Sequence, residues 1–288
     1  MATRDERKVA AAKNIALMRG AFAAETAATV ASATVYEAGD AASLELPEPT
    51  AEATTTEATS DFATRAIARA EGKVVVVDPI SFTRPGGAYE DGSFGPEQIL
   101  CSESNLYPVL CDLKAVYHDQ NRGYASGQLF TSRALYLEGV VFKSDGAMRT
   151  ADVLGIPEPN RTRALENHRS ERECDTCLTE RIDSLLRIAA ARGCETLIVG
   201  AFGCAPQGFP AEQVIAEFQS WFAAHPGAIE HVVFAVPRVS FAAFDAAFNA
   251  PKEEAPAPIA AQAEGEPTEN EEDFDYRTID LPEGITLR

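Results

Sequence analysis

The sequence is poor in positive charge. It has 25 Lys and Arg residues against 44 Asp and Glu residues, which gives a net charge of −19 and a pI near 4.6. A surface of this sign repels phosphates at long range, so we expect no direct binding of nucleic acid. An anionic ligand would have to be held locally, by backbone N–H groups and a few suitably placed side chains.

The sequence also lacks long apolar segments. No run of about 18 apolar residues is present, and the first residues, MATRDERKVAAAKN, have no apolar core of the kind found in signal peptides. We therefore expect a cytoplasmic protein that does not contact a membrane. Cysteine is scarce too, with six residues in 288, and without export signals we expect these to be free thiols.

Composition divides the chain into three parts. Residues 5–37 carry Ala, Leu and Met at helical spacing and predict one or two helices, whereas 38–60 are rich in Ala, Thr and Glu and predict a long surface loop. From residue 251 onward there are eleven acidic residues and only three basic ones, which predicts a disordered tail. The predicted organisation is a helical N-terminal extension with its loop (1–60), a folded domain (61–250) and an acidic disordered tail (251–288).

The central part alternates between strand and helix patterns. VVVVD at 74–78 predicts a fully buried strand, because four consecutive β-branched residues leave no polar face for solvent. Such alternation predicts an α/β fold in which helices pack on a mostly parallel or mixed sheet. Further strands are predicted at 196–199 and 231–238, two short ones within 128–143 and one within 150–157, and helices at 61–71, 97–113, 174–193, 211–224 and 241–248.

Two glycine-containing loops follow buried strands. In RPGGAYEDGSFGPEQ (84–98), the Gly-Gly pair lets the backbone turn its N–H groups toward a ligand, although such a pair is also common in a simple strand-to-helix turn. GAFGC (200–204) has the same context and leads into a helix N-terminus, which favours anions. Since ligands of α/β sheets bind at the carboxyl ends of strands, two such loops indicate a ligand site at that edge.

The spacing within these loops resembles that of a known family. Gly86-Gly87-Ala88 is followed, after seven residues, by Pro96-Glu97-Gln98, then by Cys101 and Asn105-Leu106-Tyr107. This order resembles the signature of the microbial-type poly(ADP-ribose) glycohydrolases, in which a glycine triplet precedes Gln-Glu-Glu. The stretch from Gly200 to Gln207 resembles that family's second signature. The resemblance implies a three-layer α/β/α macrodomain-like sandwich with a mixed sheet, and ADP-ribose or ADP-ribosylated protein as the ligand.

The resemblance also assigns roles to residues. In the family, the second Glu of Gln-Glu-Glu donates a proton to the leaving group and then activates water. Here Gln98 occupies that position and Glu97 matches the first Glu. An amide cannot give up and retake a proton, so general acid–base catalysis is not available to Gln98. The resemblance places Gly86, Gly87, Ala88 and Glu97 at the ribose, Gly203 and Cys204 at the diphosphate, and Arg84, Gly200, Ala201, Phe202, Ala205 and Gln207 elsewhere around the ligand.

Three functions remain open from the sequence. The protein could hydrolyse a ribose–ribose or ADP-ribosyl–protein glycosidic bond through Glu97 or another acid, or it could bind ADP-ribose and leave it intact. It could also be a scaffold that recruits a partner through its acidic tail. No cofactor is expected. Cys174 and Cys177 have metal-ligand spacing, but no second such pair or His pair accompanies them, so we expect no metal site.

Overall fold

The computed structural model describes residues 2–144, 146–236 and 238–249. The predicted tail at 251–288 lies outside these residues. The contacts of Met1–Ala250 form one unit. Its described part contains a sheet of seven strands in the order β1-β4-β5-β3-β6-β7-β2. The strands are β1 (Thr34–Tyr36), β2 (Thr55–Thr59), β3 (Val74–Asp78), β4 (Ala134–Ser144), β5 (Ala147–Gly155), β6 (Thr196–Val199) and β7 (His231–Ala235).

The sheet is mixed, as predicted. Neighbouring strands from β5 through β3, β6 and β7 to β2 are parallel, whereas β4 runs antiparallel to both β5 and β1. The described helices are α1 (Arg4–Ala21), α2 (Ala23–Ser32), α3 (Ala63–Arg69), α4 (Pro96–Ser102), α5 (Leu106–Asp112), α6 (Arg161–Glu166), α7 (Glu171–Ala191), α8 (Ala211–Ala224) and α9 (Arg238–Phe248). Within the described residues, no helix has the length and apolarity needed to cross a bilayer.

Helices cover both faces of the sheet because the central strand is apolar on both. Alternate side chains of a strand point to opposite faces. Accordingly, Val75 and Val77 pack into one core, which α7, α8 and α9 complete, and Val74 and Val76 pack into another beneath α1, α4 and α5. The result is the predicted three-layer arrangement, with β3 buried at its centre.

Several elements coincide with their predicted positions. The strands at 74–78 and 196–199 and the helix at 211–224 have the predicted bounds. The long helix α7 ends at Ala191, and Gly193, two residues later, has a φ of +70°, the left-handed conformation expected of a glycine that follows a helix.

Other elements differ from the prediction. The two short strands predicted within 128–143 are one strand, β4, whose register with β5 shifts between Leu137 and Val140. The helix predicted over 97–113 is divided into α4 and α5. The division has a physical cause, because Ser104 forms a bridge with Phe142 of β4 and its hydroxyl bonds the backbone on both sides of the break.

The first sixty residues differ most. The segment predicted as a surface loop contains β2, which pairs in parallel with β7, and residues 34–36, predicted as helix, form β1 beside β4. The structure therefore has no boundary at residue 60, since both strands belong to the same sheet as the central domain. The side-chain amide of Asn249 bonds both the N–H and the C=O of Ala58 on the outer side of β2.

Candidate functional site

Three loops meet at the carboxyl edge of the sheet. They follow β3, β5 and β6, which are neighbours in the sheet, and cover residues 79–95, 156–160 and 200–210. The sequence predicted the first and third as the ligand-binding loops. The second loop contacts the third through the carboxyl of Glu158, which bonds Gly203 and Gln207.

The first loop makes a tight double turn at its glycines. Gly86 and Gly87 have φ of +61° and +58°, a conformation that other residues rarely adopt. A Cβ on Gly87 would lie 2.7 Å from Oγ of Ser81 and 2.9 Å from Nε2 of Gln98. Ala88, at the position of the third glycine, has a φ of −112° and so fits without strain.

Glu97 and Gln98 lie side by side next to these glycines, in the first turn of α4. Oε2 of Glu97 accepts a hydrogen bond from the Ser81 hydroxyl. Nε2 of Gln98 donates to the carbonyl of Gly86 over 3.1 Å and lies 3.4 Å from Oε2 of Glu97. The carboxyl and the amide are thus both held at the glycine turn.

Glu97 is electrostatically unusual. Its side chain is buried, and burial raises the pKa of Glu97 to about 7, although hydrogen bonds from Ser81 and from the Gly86 backbone lower it in part. Its Oε1 has no hydrogen-bond partner among the described residues. A carboxyl with a pKa near neutrality can both give and accept a proton at physiological pH.

Behind Glu97 lies a second buried carboxyl, that of Asp78, the last residue of β3. Asp78 is 0% exposed, and within the described structure neither of its carboxyl oxygens has a hydrogen-bond partner. Burial, together with the negative charges of Glu97 and Glu158, raises the pKa of Asp78 well above its usual value. Three acids therefore share one desolvated region, which favours the protonated form of Asp78.

The loop after β6 is already bonded to an acidic side chain of the protein, that of Glu158. Oε1 of Glu158 accepts the backbone N–H of Gly203 at 3.0 Å, and its Oε2 accepts from Nε2 of Gln207 at 2.8 Å. Asn160 bonds the other end of the same Gln207 amide. Burial raises the pKa of Glu158. A diphosphate that used the Gly203 amide would have to displace this carboxylate.

The remaining predicted residues of that loop divide between core and surface. Phe202 and Cys204 are buried in the core beneath the loop, so they could offer a ligand only backbone atoms. Burial raises the pKa of Cys204 to about 12. Gly200 and Ala201 are half-buried, and Ala205 is exposed with a negative φ.

Arg84 is engaged at the surface. Its Nη2 lies 3.0 Å from a carboxylate oxygen of Glu90 and 2.8 Å from one of Asp91. The hydroxyl of Tyr107 donates to the second oxygen of Glu90 over 2.9 Å. In this arrangement Arg84 neutralises two acids beside the glycine turn, and pairing it with a phosphate would require those bonds to open.

Metal-binding geometry is not found in the described part of the chain. No group of three His, Cys, Asp or Glu side chains there is placed to hold an ion. Cys174 is buried in the core and Cys177 donates to the carbonyl of Leu129. Both thiols therefore take part in packing between α7 and its neighbours.

A cavity of about 850 Å³ lies at the opposite edge of the sheet, near the amino ends of β6 and β7 and beside β2. It is remote from the glycine turn. Its lining includes Glu57, Glu71, Glu195 and Glu230. The same lining contains one arginine, Arg69. Because acids outnumber it, the cavity is a poor environment for an anionic ligand, and we do not assign the site there.

Sequence reasoning missed Asp78, Ser81 and Glu158. Asp78 is the final residue of VVVVD, and a carboxyl at the carboxyl end of a buried strand is a signal that could have been used. Glu158 gave no such signal, because its partners at Gly203 and Gln207 are more than forty residues away in the chain.

The chain is similar to known proteins in sequence and in structure. Residues 7–144 match the model of the microbial-type PARG catalytic domain. Poly(ADP-ribose) glycohydrolase (PARG) from Thermomonospora curvata has 25% identity and a TM-score of 0.72, over 84% of this chain and 99% of that one. The PARG from Deinococcus radiodurans in complex with ADP-ribose has 23% identity and a TM-score of 0.69, over 78% and 97% of the two chains.

A further structure, the Thermomonospora curvata enzyme bound to the inhibitor ADP-HPD, has 26% identity and a TM-score of 0.70. It covers 84% of this chain and 99% of that one. Comparison with curated protein sequences finds no match. The range matched by the family model includes the glycine turn, Glu97 and Gln98. The chain is thus similar to the microbial-type poly(ADP-ribose) glycohydrolases, in sequence over residues 7–144 and in fold.

Proposed function

We propose that this protein is an ADP-ribose-binding domain of the macrodomain type that recognises ADP-ribose without hydrolysing it by the family's route. The observation that carries the proposal is the placement of Gln98. Its amide lies against Gly86, Gly87 and Glu97, where the resemblance puts the catalytic carboxylate. The surrounding turn keeps the close backbone approach that a ribose needs.

The chemistry of an amide supports a binding role. Cleavage of a glycosidic bond needs a group that protonates the leaving oxygen and then takes a proton from water. Gln98 can donate and accept hydrogen bonds but cannot transfer a proton. Loss of general acid–base catalysis costs about 10²- to 10⁴-fold in rate. A site with this residue can still hold ribose hydroxyls through the same amide.

Hydrolysis through Glu97 is the second candidate, and one observation favours it. The pKa of Glu97 is raised to about 7, so its carboxyl could act as both acid and base near neutral pH. Its place behind Gly87, bonded to Ser81, counts against this role, because the side chain is only 3% exposed. A scaffold that acts through its tail is a third candidate, and that tail lies outside the described residues.

Two measurements test the proposal. Calorimetric titration with ADP-ribose measures binding, and incubation with automodified poly(ADP-ribosyl)ated protein measures release of ADP-ribose by the wild type and by Gln98→Glu. We expect binding by both proteins, no release by the wild type, and release by Gln98→Glu. Gln98→Ala is the matched control, since it alters the same position without adding a carboxyl.

Other outcomes decide against the proposal. Release by the wild type that disappears in Glu97→Ala would assign the chemistry to Glu97. Release by the wild type that survives this change would point to another acid. Absence of ADP-ribose binding by the wild type would overturn the ligand assignment and favour a scaffold.

A further inference from the structure

The cavity of about 850 Å³ near the amino ends of β6 and β7 is a groove on one face of the sheet. The strand residues that line it on this face are Glu57, Thr59, Thr196, His231 and Val233. The register pairs Thr196 with His231 and Glu57 with Val233, so their side chains point to the same face. Thr196 is also opposite Val74 of β3. The groove therefore crosses β6, β7 and β2 on the face that carries Val74.

Helix α3 forms one wall of the groove. Within the described residues, it is the helix that lines the groove, through Ala66, Arg69 and Ala70. Ala66 and Val233 are buried, whereas Glu57 on the outermost strand is exposed. Sheets of this architecture usually have helices over both faces. In the described structure the cover of this face ends at α3, and the open volume lies within the range of about 300–1,000 Å³ that is typical of binding sites.

Four glutamates border the groove. They are Glu57, Glu71, Glu195 and Glu230. The carboxylate of Glu195 lies against Gly72, another residue of the lining, where a Cβ would overlap it. Arg69, the arginine of the lining, is held by Asp61, with 2.9 Å between Nη2 and Oδ2. Among the described residues, no ion pair involves any of the four glutamates, in contrast to the acids beside the glycine turn. Their negative charge is therefore available to a cationic partner.

The lining between these acids is apolar. It consists of Ala58, Ala66, Ala70 and Val233. Lysine and arginine side chains place their methylene groups along apolar surface and keep the charged end at its border. There a carboxylate accepts a charge-assisted hydrogen bond from the ammonium or guanidinium group. A metal ion would make no use of the apolar lining, and no group of three His, Cys, Asp or Glu side chains in the described residues is placed to hold one.

We propose that this groove binds an extended segment of a partner protein that is rich in lysine and arginine. The open sheet face provides the space, the alanines and Val233 contact the methylene groups, and the four glutamates bind the charged ends. The net charge of −19 attracts cations to the whole surface, but only a lining of this kind selects a cationic side chain at one place. The proposal does not depend on ADP-ribose binding, because the glycine turn lies at the opposite edge of the sheet.

The test uses a fluorescent peptide of about twelve residues in which lysine and alanine alternate, so that the lysines of an extended chain share one side. Fluorescence anisotropy measures its binding to the full-length protein at about 0.1 M salt, where charges more than about 10 Å apart are screened. The triple variant Glu57→Gln, Glu195→Gln and Glu230→Gln should bind the peptide about tenfold more weakly, since each exposed ion pair contributes up to about fivefold. A peptide with glutamate in place of lysine should not bind.

Matched variants separate the groove from the net charge. Glu25→Gln, Glu180→Gln and Glu212→Gln together remove the same charge from three exposed acids on α2, α7 and α8, outside the groove, and should weaken binding less than about twofold. Ala70→Trp fills the groove without changing the charge and should also weaken binding. Ala216→Trp, on the exposed side of α8, is its control and should have no effect. Urea denaturation of each variant verifies that it is folded.

Several outcomes would overturn the proposal. Equal weakening in the two triple variants would show attraction by the net charge alone. Unchanged binding by Ala70→Trp would place the peptide outside the groove, and displacement of the peptide by ADP-ribose would place it at the glycine turn. Spermine that binds as tightly as the peptide would assign the groove to a small polyamine. Absence of peptide binding by the wild type would remove the groove as a docking site.

Discussion

Glu158 is hydrogen-bonded to the backbone amide of Gly203, with 3.0 Å between Oε1 and N. This carboxylate occupies the donor that a phosphate would use, and its charge repels the ligand at close range. We expect Glu158→Gln to bind ADP-ribose about tenfold more tightly, which corresponds to ~1.4 kcal/mol. Calorimetry measures this change. Glu166→Gln, which alters an exposed acid paired with Arg163, is the control and should have no effect.

The same contact predicts a dependence on pH. The pKa of Glu158 is raised above its usual 4.5. Under the proposed function, we expect ADP-ribose to bind best when this carboxyl is neutral. Affinity for ADP-ribose should therefore rise as pH falls from 8 toward 5.5, and the rise should be smaller in Glu158→Gln. Weaker binding by Glu158→Gln at neutral pH would instead mean that the carboxylate contacts the ligand directly.

The buried carboxyl of Asp78 predicts a change in stability. Since its pKa is raised on folding, the folded state holds the proton more tightly. The contribution of Asp78 to stability is therefore fully present below its usual pKa of 3.8 and is lost as pH rises through the folded pKa. Asp78→Asn removes this loss. We expect the free energy of unfolding to increase by about 1–3 kcal/mol at pH 7.5, and by much less at pH 4.5.

Urea denaturation at the two pH values checks this expectation. Asp175→Asn, which alters an exposed acid on α7, serves as the control and should change stability little at either pH. A loss of stability in Asp78→Asn at pH 7.5 would show that the ionised carboxylate has a stabilising partner.

We predict that ADP-ribose binding requires Gly87, because of both its backbone conformation and its lack of a side chain. Gly87→Ala forces a residue with a Cβ into positive φ and against Ser81 and Gln98. Gly193→Ala imposes a similar φ, +70°, but its Cβ would meet nothing within 4 Å. We expect each change to cost at least about 1 kcal/mol of stability, and only Gly87→Ala to abolish ADP-ribose binding. Wild-type affinity in Gly87→Ala would remove the glycine turn from the ligand site.

The thiols should differ in reactivity. Cys111 and Cys177 are half-buried, whereas Cys204 is buried and has a pKa raised to about 12, so it carries almost no thiolate at pH 8. Brief alkylation of the folded protein at pH 8 should modify the two half-buried cysteines first, and Cys204 should react only after unfolding. Mass spectrometry of the digested protein shows the order. Early modification of Cys204 would contradict the buried position of this loop.

The sequence predicted those elements whose pattern is local. Four consecutive valines define β3 without any knowledge of its neighbours, and the spacing of apolar residues defines α8 between Ala211 and Ala224. The pairing of Glu97 and Gln98 with the glycine turn was predictable for a similar reason. The turn and the helix that follows it are only about ten residues apart.

Features that depend on distant contacts were not predictable. The TTEAT segment of β2 has neither an apolar run nor clear alternation, and it is a strand only because β7 offers an unpaired edge. The cluster of Asp78, Glu97 and Glu158 forms because β3 and β5, which are far apart in the chain, are neighbours in the sheet. No spacing rule connects such residues.

The order of strands has a consequence for how the protein avoids self-association. β1 and β2 are consecutive in the chain, but they form the two opposite edges of the sheet, where β1 pairs with β4 and β2 pairs with β7. Unpaired strand edges readily join those of other chains, and short or capped edge strands prevent this. β1 has only three residues, and Asn249 caps β2 at Ala58. A chain that began after residue 60 would lose both protecting strands at once, and we expect it to aggregate through the edges of β4 and β7.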